Sequence, residues 1–148
     1  LMWAGSLSHN SLTGLGQTKD FSVHQLGHEL SGRFDIPHGE SLSAMWPAWA
    51  RYVMDTDVSR FAQYARAVWD IAQPDDRQAA LAGIEATEGY FRALGMPVTL
   101  GQAVGVQSRQ VLRELAHSCA FGGKRRIGSF RPLGEEEIYQ VYTAANHM

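Results

Sequence analysis

Apolar residues recur along this chain at helical spacing almost from end to end. Phe61, Tyr64, Ala65, Val68, Trp69 and Ala72 follow one another at steps of three and four, the pattern of a single helix face. The stretch "QPDDRQ" then breaks the pattern. Pro74 stops that helix, and Asp75 caps the next, with Gln78 three residues on as its capping-box partner. Leu81, Ile84, Phe91 and Leu94 give the next helix its stripe. It ends at "LGMP", with Gly95 as a left-handed cap and Pro97 as the stop. Leu112, Leu115, Ala116 and Cys119 form another stripe, and Ile138, Val141, Tyr142 and Ala145 the last. Glu135, Glu136 and Glu137 fall in its first turn, where the helix dipole favours negative charge. "VTLGQAVGV" fits either a short strand or a single helical turn.

At the start, "LMWAGSLSHN" reads as a helix with a small-residue face, Ala4, Gly5 and Ser8, suited to close packing against a neighbour. Gly14 and Gly16 break it. Asp20 then caps a helix that carries His24 and His28. No internal repeat, low-complexity segment or domain linker interrupts the chain. The expected architecture is an all-α bundle of about seven helices in one unit, residues 1–148.

Composition narrows the function. Apolar residues make up 45% and charged residues 19%, which is globular and not disordered. The net charge of −2 argues against nucleic acid as a partner, because phosphate binding needs clustered surplus Lys and Arg. No apolar run approaches the ~20 residues of a membrane span. One cysteine, Cys119, excludes a disulfide framework and a Cys-rich zinc site, and it points to a reducing, cytoplasmic setting. The chain opens at Leu1, already inside an apolar pattern, as a piece of a longer polypeptide would.

The chemistry concentrates in "SVHQLGHELSGRFDIPHG". His24 and His28 lie on one helix face, about 6 Å apart. Pro37 pushes Ile36 out of helical geometry, so the helix must end near Gly32. The loop that follows is long enough to fold His38 back toward His24. His38 sits at or just before the next helix, and a helix N-terminus keeps the imidazole neutral. The neutral ring is the form that binds metal. The spacing leaves two readings open: partly buried structural histidines, or a metal or catalytic site. A zinc-protease H-E-x-x-H motif fails, because Gln25 stands where its Glu should be. Glu29 is expected to pair with Arg33 at the surface. Asp35 is an available oxygen, but nothing marks it as a ligand.

At "DFSVHQLGHELSGRFDIPHGESLSAMWPAWARYV" the chain resembles the iron-containing (group III) alcohol dehydrogenases, in their butanol-dehydrogenase branch. The family pattern His-x3-His-x9-His-Gly, followed by a helix containing Pro, is met by His24, His28, His38, Gly39 and Pro47. The lead-in "LMWAGSLSHNSLTGLG" and the tail "IGSFRPLGEEEIYQVYTAA" are similar to the same branch. The resemblance implies the C-terminal helical domain of a dehydroquinate-synthase-like fold. Its N-terminal α/β dinucleotide-binding domain would lie outside this chain. The family holds iron(II), sometimes zinc, with one Asp and three His. By position, His24 and His38 correspond to the last two His ligands. His28 corresponds to the histidine that faces nicotinamide and substrate. The remaining ligands and the pyrophosphate loop would lie upstream; "FGGKRRIG" follows a helix and lacks the G-x-G-x-x-G spacing.

The parent activity so implied is reversible oxidoreduction of a small alcohol or aldehyde with NAD(H) or NADP(H), and the fragment by itself is expected to be inactive. Exposed apolar surface, left where the other domain docks, predicts self-association into a homo-oligomer. Two rivals stand beside this reading: a metal-dependent hydrolase using the same histidines, and a helical interaction module without chemistry. Lys124, Arg125 and Arg126 read as a solvated loop, with an anion contact at the cleft as the alternative. His117 and Cys119 read as packing residues, and His9 and His147 as incidental. Trp3, Trp46, Trp49 and Trp69 read as core, although Trp46 and Trp49, following His38, could line a substrate pocket.

Overall fold

The stripes of the sequence become helices in the computed structural model, which describes residues 2–10, 12–16 and 18–148. Eight α-helices occur among them: α1 (Met2–His9), α2 (Ser22–Phe34), α3 (His38–Val53), α4 (Val58–Trp69), α5 (Asp76–Ala93), α6 (Leu100–Val104), α7 (Arg109–Cys119) and α8 (Glu135–Ala145). No named strand occurs among the described residues; Ile127 and Leu133 form an isolated antiparallel bridge. The ambiguous stretch from Val98 to Val106 resolves as the short helix α6, with the Thr99 hydroxyl accepting from the Gln102 N–H. This helix is what brings the number of helices above the expected seven.

Most of the predicted punctuation holds. The Asp75 carboxylate accepts from the Gln78 N–H at 2.8 Å. The Asp75 N–H donates to Gln73 Oε1 at 3.3 Å, where Gln78 was the expected acceptor. Gly95 follows α5 with φ 74°, the left-handed turn its position requires. Two helix ends differ. Helix α4 stops at Trp69, well before Pro74, because Asp70 turns left-handed at φ 54°, a conformation Asp tolerates better than most residues. Ala72 therefore lies outside the helix. Helix α2 runs on to Phe34, where Asp35 makes the same kind of turn at φ 53°.

Helix α3 is central. It lies against α2, α5, α6 and α8, while α4 pairs with α5 and α7 with α8. The core joins Leu26 and Leu30 of α2, Met45 and Val53 of α3, Leu115 of α7, and Ile138 and Tyr142 of α8. The fully buried Tyr142 donates its hydroxyl to the Leu26 carbonyl at 2.8 Å, which ties α8 to the middle of α2. Leu81 and Leu94, expected in the core, are exposed, and Val68 is too. Helix α1 packs mainly against the turn at Leu12–Gly14, leaving Met2 and Trp3 90% and 75% exposed. On its small-residue face, an added Cβ at Gly5 would meet nothing within 4 Å. The Ser8 and His9 side chains lie outside the described residues.

Asp20 fixes the start of α2. One oxygen accepts from the Ser22 N–H at 2.8 Å. The other accepts from Ser129 and Phe130 N–H, each at 2.8 Å. The cap position itself falls on Phe21, one residue after the Asp20 expected from sequence, and Asp20 instead clamps the first N–H of α2 to the segment that bridges Ile127 to Leu133. Gly128 allows the close approach: its φ is 81°, and a Cβ there would sit 2.0 Å from the Ser22 hydroxyl. Burial pushes the Asp20 carboxyl up, but the hydrogen bonds from Ser22, Phe130 and Ser129 outweigh it and hold it below the usual range. Asp20→Ala should lower stability by about 1–3 kcal/mol in denaturant unfolding near neutral pH. A folded value below the ordinary 3.8 means that the contribution is complete well above that pH. The gap between wild type and variant should shrink as pH falls through the depressed value.

Candidate metal centre

The site is built where α2 passes the first turn of α3. Gly27 on α2 has no side chain, and the Ser41 hydroxyl fills the place: a Cβ at Gly27 would lie 2.7 Å from Ser41 Oγ. Ser41 is three residues after His38, so its hydroxyl reaches back to the same turn. Its proton goes to the His38 carbonyl at 2.8 Å. Ser31, on α2, donates to Ser41 Oγ at 3.1 Å. Ser41 Oγ then remains an acceptor toward His38 Nδ1 at 3.3 Å. In that arrangement Ser41 Oγ can accept from the Nδ1–H of a neutral His38, which would leave Nε2 bare. Burial, and then the neighbouring His28, push the His38 imidazole below its ordinary 6.5, which favours the neutral ring.

That nitrogen faces α2. His38 Nε2 lies 3.1 Å from His24 Nδ1, so the two predicted ligands converge as expected. His28 stacks on His38, with ring centroids 4.7 Å apart and planes 29° apart. One nitrogen from each of the three histidines lies within 4.8 Å of the other two. All three line a cleft of about 640 Å³ together with Phe21, Gln25, Glu29, Phe121 and Arg125. A separation of 3.1 Å suits adjacent ligands on one ion at metal–nitrogen bonds of about 2.0–2.1 Å. The imidazole donors fit a metal ion.

Several neighbours differ from expectation. Arg125 is not a solvated residue. Its Nε–H donates to the Cys119 carbonyl at 2.8 Å, and its guanidinium lies 3.6 Å over the Phe121 ring, at the edge of the histidine cleft. Phe121 takes a left-handed conformation, φ 49°, to present that ring. Lys124 stays exposed, and Arg126 turns away to the Pro132 carbonyl at 2.9 Å. Glu29 does not pair with Arg33: it accepts from the Ser118 hydroxyl at 2.6 Å, and Arg33 reaches Glu114 at 2.7 Å. Both partners sit on α7, which packs beside α2 and offers a longer reach than a pairing within one helix. Asp35 stays outside the histidine cluster, as the sequence suggested.

Other residues behave as read. Cys119 is fully buried, and burial pushes its thiol up to about 12, with Glu29 adding to the effect. His117 meets Glu135 at the surface at 3.1 Å. His147 is exposed. Trp46 and Trp49 are half-buried, and both line an apolar cavity of about 570 Å³ that His24 also borders. Ser31, Ser41 and Gly27 were not singled out as site residues from sequence, whereas Arg125 was weighed there as the alternative to a solvated loop. The first three had a signal there: Ser41 is i+3 from His38, and Gly27 and Ser31 are i+4 from each other on the helix carrying His24.

Comparison with known proteins bears on the whole chain. Residues 3–146 match the Fe-containing alcohol dehydrogenase family, C-terminal. The chain is 35% identical over 144 residues to NADH-dependent butanol dehydrogenase A of Clostridium acetobutylicum, a match covering 96% of this chain and 36% of that protein. It is 36% identical over 147 residues to NADPH-dependent aldehyde reductase YqhD of Escherichia coli, covering 98% of this chain and 37% of that protein. The substrate- and cofactor-free structure of YqhD superposes with a TM-score of 0.88 at 29% identity, over 98% of this chain and 38% of that one. NADH-dependent butanol dehydrogenase A of Thermotoga maritima shares the fold, with a TM-score of 0.88 at 22% identity over 98% of this chain and 38% of that one. The chain thus spans a little over a third of the length of these relatives. It belongs to the Fe-containing alcohol dehydrogenase family, in its butanol-dehydrogenase branch, and corresponds to the family's C-terminal helical domain.

Proposed function

We propose that this chain is the metal-holding domain of an iron-dependent, NAD(P)-linked alcohol dehydrogenase, which interconverts alcohols and aldehydes. The observation that carries the reading is the convergence of His24 Nδ1 and His38 Nε2 at 3.1 Å, with His28 stacked beside them in one cleft. The other half of the metal shell and the dinucleotide site belong, in this reading, to residues outside the chain, on an N-terminal α/β domain. Iron(II), or zinc on the same imidazole donors, would act as a Lewis acid toward the substrate oxygen. Relatives named for NADH and for NADPH support a nicotinamide without choosing between the two forms.

His24 and His38 would hold the ion. Ser41 keeps the His38 hydrogen on Nδ1, and Ser31 holds Ser41 in turn. His28 lies one turn from His24 and does not bind the ion in this assignment. It would take the hydroxyl proton as the alcohol is oxidised and return it as the aldehyde is reduced; a bound nicotinamide would supply the hydride chemistry. Gln25 leaves the hydrolase reading without its expected base. No helix among the described residues is long and apolar enough to cross a membrane. A buried, reduced Cys119 agrees with a cytoplasmic enzyme. The exposed Met2, Trp3 and Leu15 are the surface on which the second domain, or another copy, would dock.

In the full-length protein, His24→Ala and His38→Ala should abolish both bound metal and turnover. His28→Ala should retain metal and lose about 10²–10⁴-fold in kcat. Metal analysis beside an NAD(P)H-linked butanal assay decides this, and loss of metal in His28→Ala equal to that in His24→Ala would make His28 a ligand. Residues 1–148 alone, loaded with iron(II) without oxygen, should show no turnover of butanal with NADH or NADPH.

The serine pair makes a separate prediction. Ser41→Ala should let the His38 hydrogen redistribute between Nδ1 and Nε2, seen in ¹⁵N spectra of residues 1–148. In the full-length protein it should weaken metal affinity about 10–100-fold. Ser41→Thr, which keeps the hydroxyl, should restore both. An unchanged tautomer in Ser41→Ala would remove this role.

A further inference from the structure

His24 is a wall shared by two spaces. It lines both the histidine cleft and the apolar cavity. That cavity is bounded by Leu42, Trp46, Trp49, Phe91, Leu94 and Met96. Its aromatic rings are set by one another: Trp46 meets Phe91 edge-on at 6.3 Å and Tyr64 at 6.2 Å. Gly95 turns the chain so that Leu94 and Met96 both come to the rim.

The polar groups along the lining are already engaged. Asp20 accepts from Ser22, Ser129 and Phe130, and the Ser43 hydroxyl donates to the Glu40 carbonyl at 3.1 Å. One donor remains, the buried indole N–H of Trp49, which has no hydrogen-bond partner among the described residues. A charged or strongly polar ligand would find little here to replace its water. A hydrocarbon would lose nothing by entering.

Size decides which hydrocarbon. At about 30 Å³ of liquid volume per heavy atom, the share of one water, butanal needs roughly 150 Å³. The cavity of about 570 Å³ is several times larger, within the range that encloses ligands well beyond four carbons.

We propose that this cavity takes the apolar tail of the substrate, and that the preferred substrates are medium-chain or aryl-alkyl aldehydes and alcohols whose oxygen end lies at His24. The inference rests on the oxidoreductase reading above.

The four tryptophans make a direct test, because Trp46 and Trp49 line the cavity while Trp3 and Trp69 do not. Residues 1–148 are titrated with 1-butanol, 1-hexanol and 1-octanol while the four indole N–H signals are followed by NMR. The Trp46 and Trp49 signals should move and those of Trp3 and Trp69 should not, with affinity rising about fourfold per added methylene. Leu94 is 58% exposed, so Leu94→Glu can place a carboxylate at the rim without disturbing the core. It should flatten that slope. In the full-length enzyme, kcat/KM should climb on the order of 100-fold from butanal to octanal, and Leu94→Glu should flatten that rise too.

Indole signals that do not move, or a slope unchanged in Leu94→Glu, overturn the proposal. Turnover at equal efficiency from butanal to octanal overturns it while leaving the oxidoreductase reading intact. Octanol binding at Trp46 and Trp49 with no turnover of any aldehyde by the metal-loaded full-length enzyme would instead overturn the oxidoreductase reading, and with it the assignment of the tail to a substrate.

Discussion

The site depends on a hydrogen atom where most residues carry a methyl group. Gly27 lets α3 come so near to α2 that the Ser41 hydroxyl stands 2.7 Å from the point a Cβ would occupy. That nearness puts Ser31 within reach of Ser41, and His38 within reach of His24. A side chain at position 27 would have to push Ser41 aside, because a packed interior has no slack to absorb it. The hydrogen-bond chain and the histidine pairing would move together. Tyr142 of α8 also holds α2, through the carbonyl of Leu26, the residue just before Gly27. The helix with two of the histidines is thus held by two neighbours at one level.

Much of this was legible in the residues themselves. The stripes at α4, α5, α7 and α8, the caps at Asp75 and Gly95, and the start of α3 at His38 all follow from local rules, where neighbours in sequence decide the outcome. The placement of His24 and His28 on one face is likewise a local matter. The turn that sends His38 back toward His24 follows from Pro37, while the closeness of the approach rests on Gly27. The points that went otherwise also have local causes that propensity alone underweights. Asp35 and Asp70 each accept a left-handed backbone, so α2 and α4 end at those residues and not at the places suggested by glycine and proline.

What could not be read depended on partners far away in the chain. Glu29 and Arg33 have an obvious mutual spacing, and α7 takes both of them. Arg125 sits in a glycine-rich basic run, the usual signature of solvent, yet its guanidinium is held on Phe121 beside the histidines. The apolar cavity draws on α2, α3 and the end of α5, so no single stripe announces it. Leu94 fits a helix stripe in sequence but is 58% exposed at the rim of that cavity. In each case the deciding contact joins segments whose relative placement only the folded chain supplies.

Cys119 carries a practical consequence. It is the only cysteine in the chain, it is fully buried, and its thiol is pushed up to about 12. Thiol-directed reagents attack the thiolate at accessible positions, so the folded chain presents them with almost nothing. For that chemistry the native protein is effectively a blank background. One cysteine introduced on the surface, on α1 or at the rim of the histidine cleft, would carry a spin label or fluorophore alone, with no native residue to remove first.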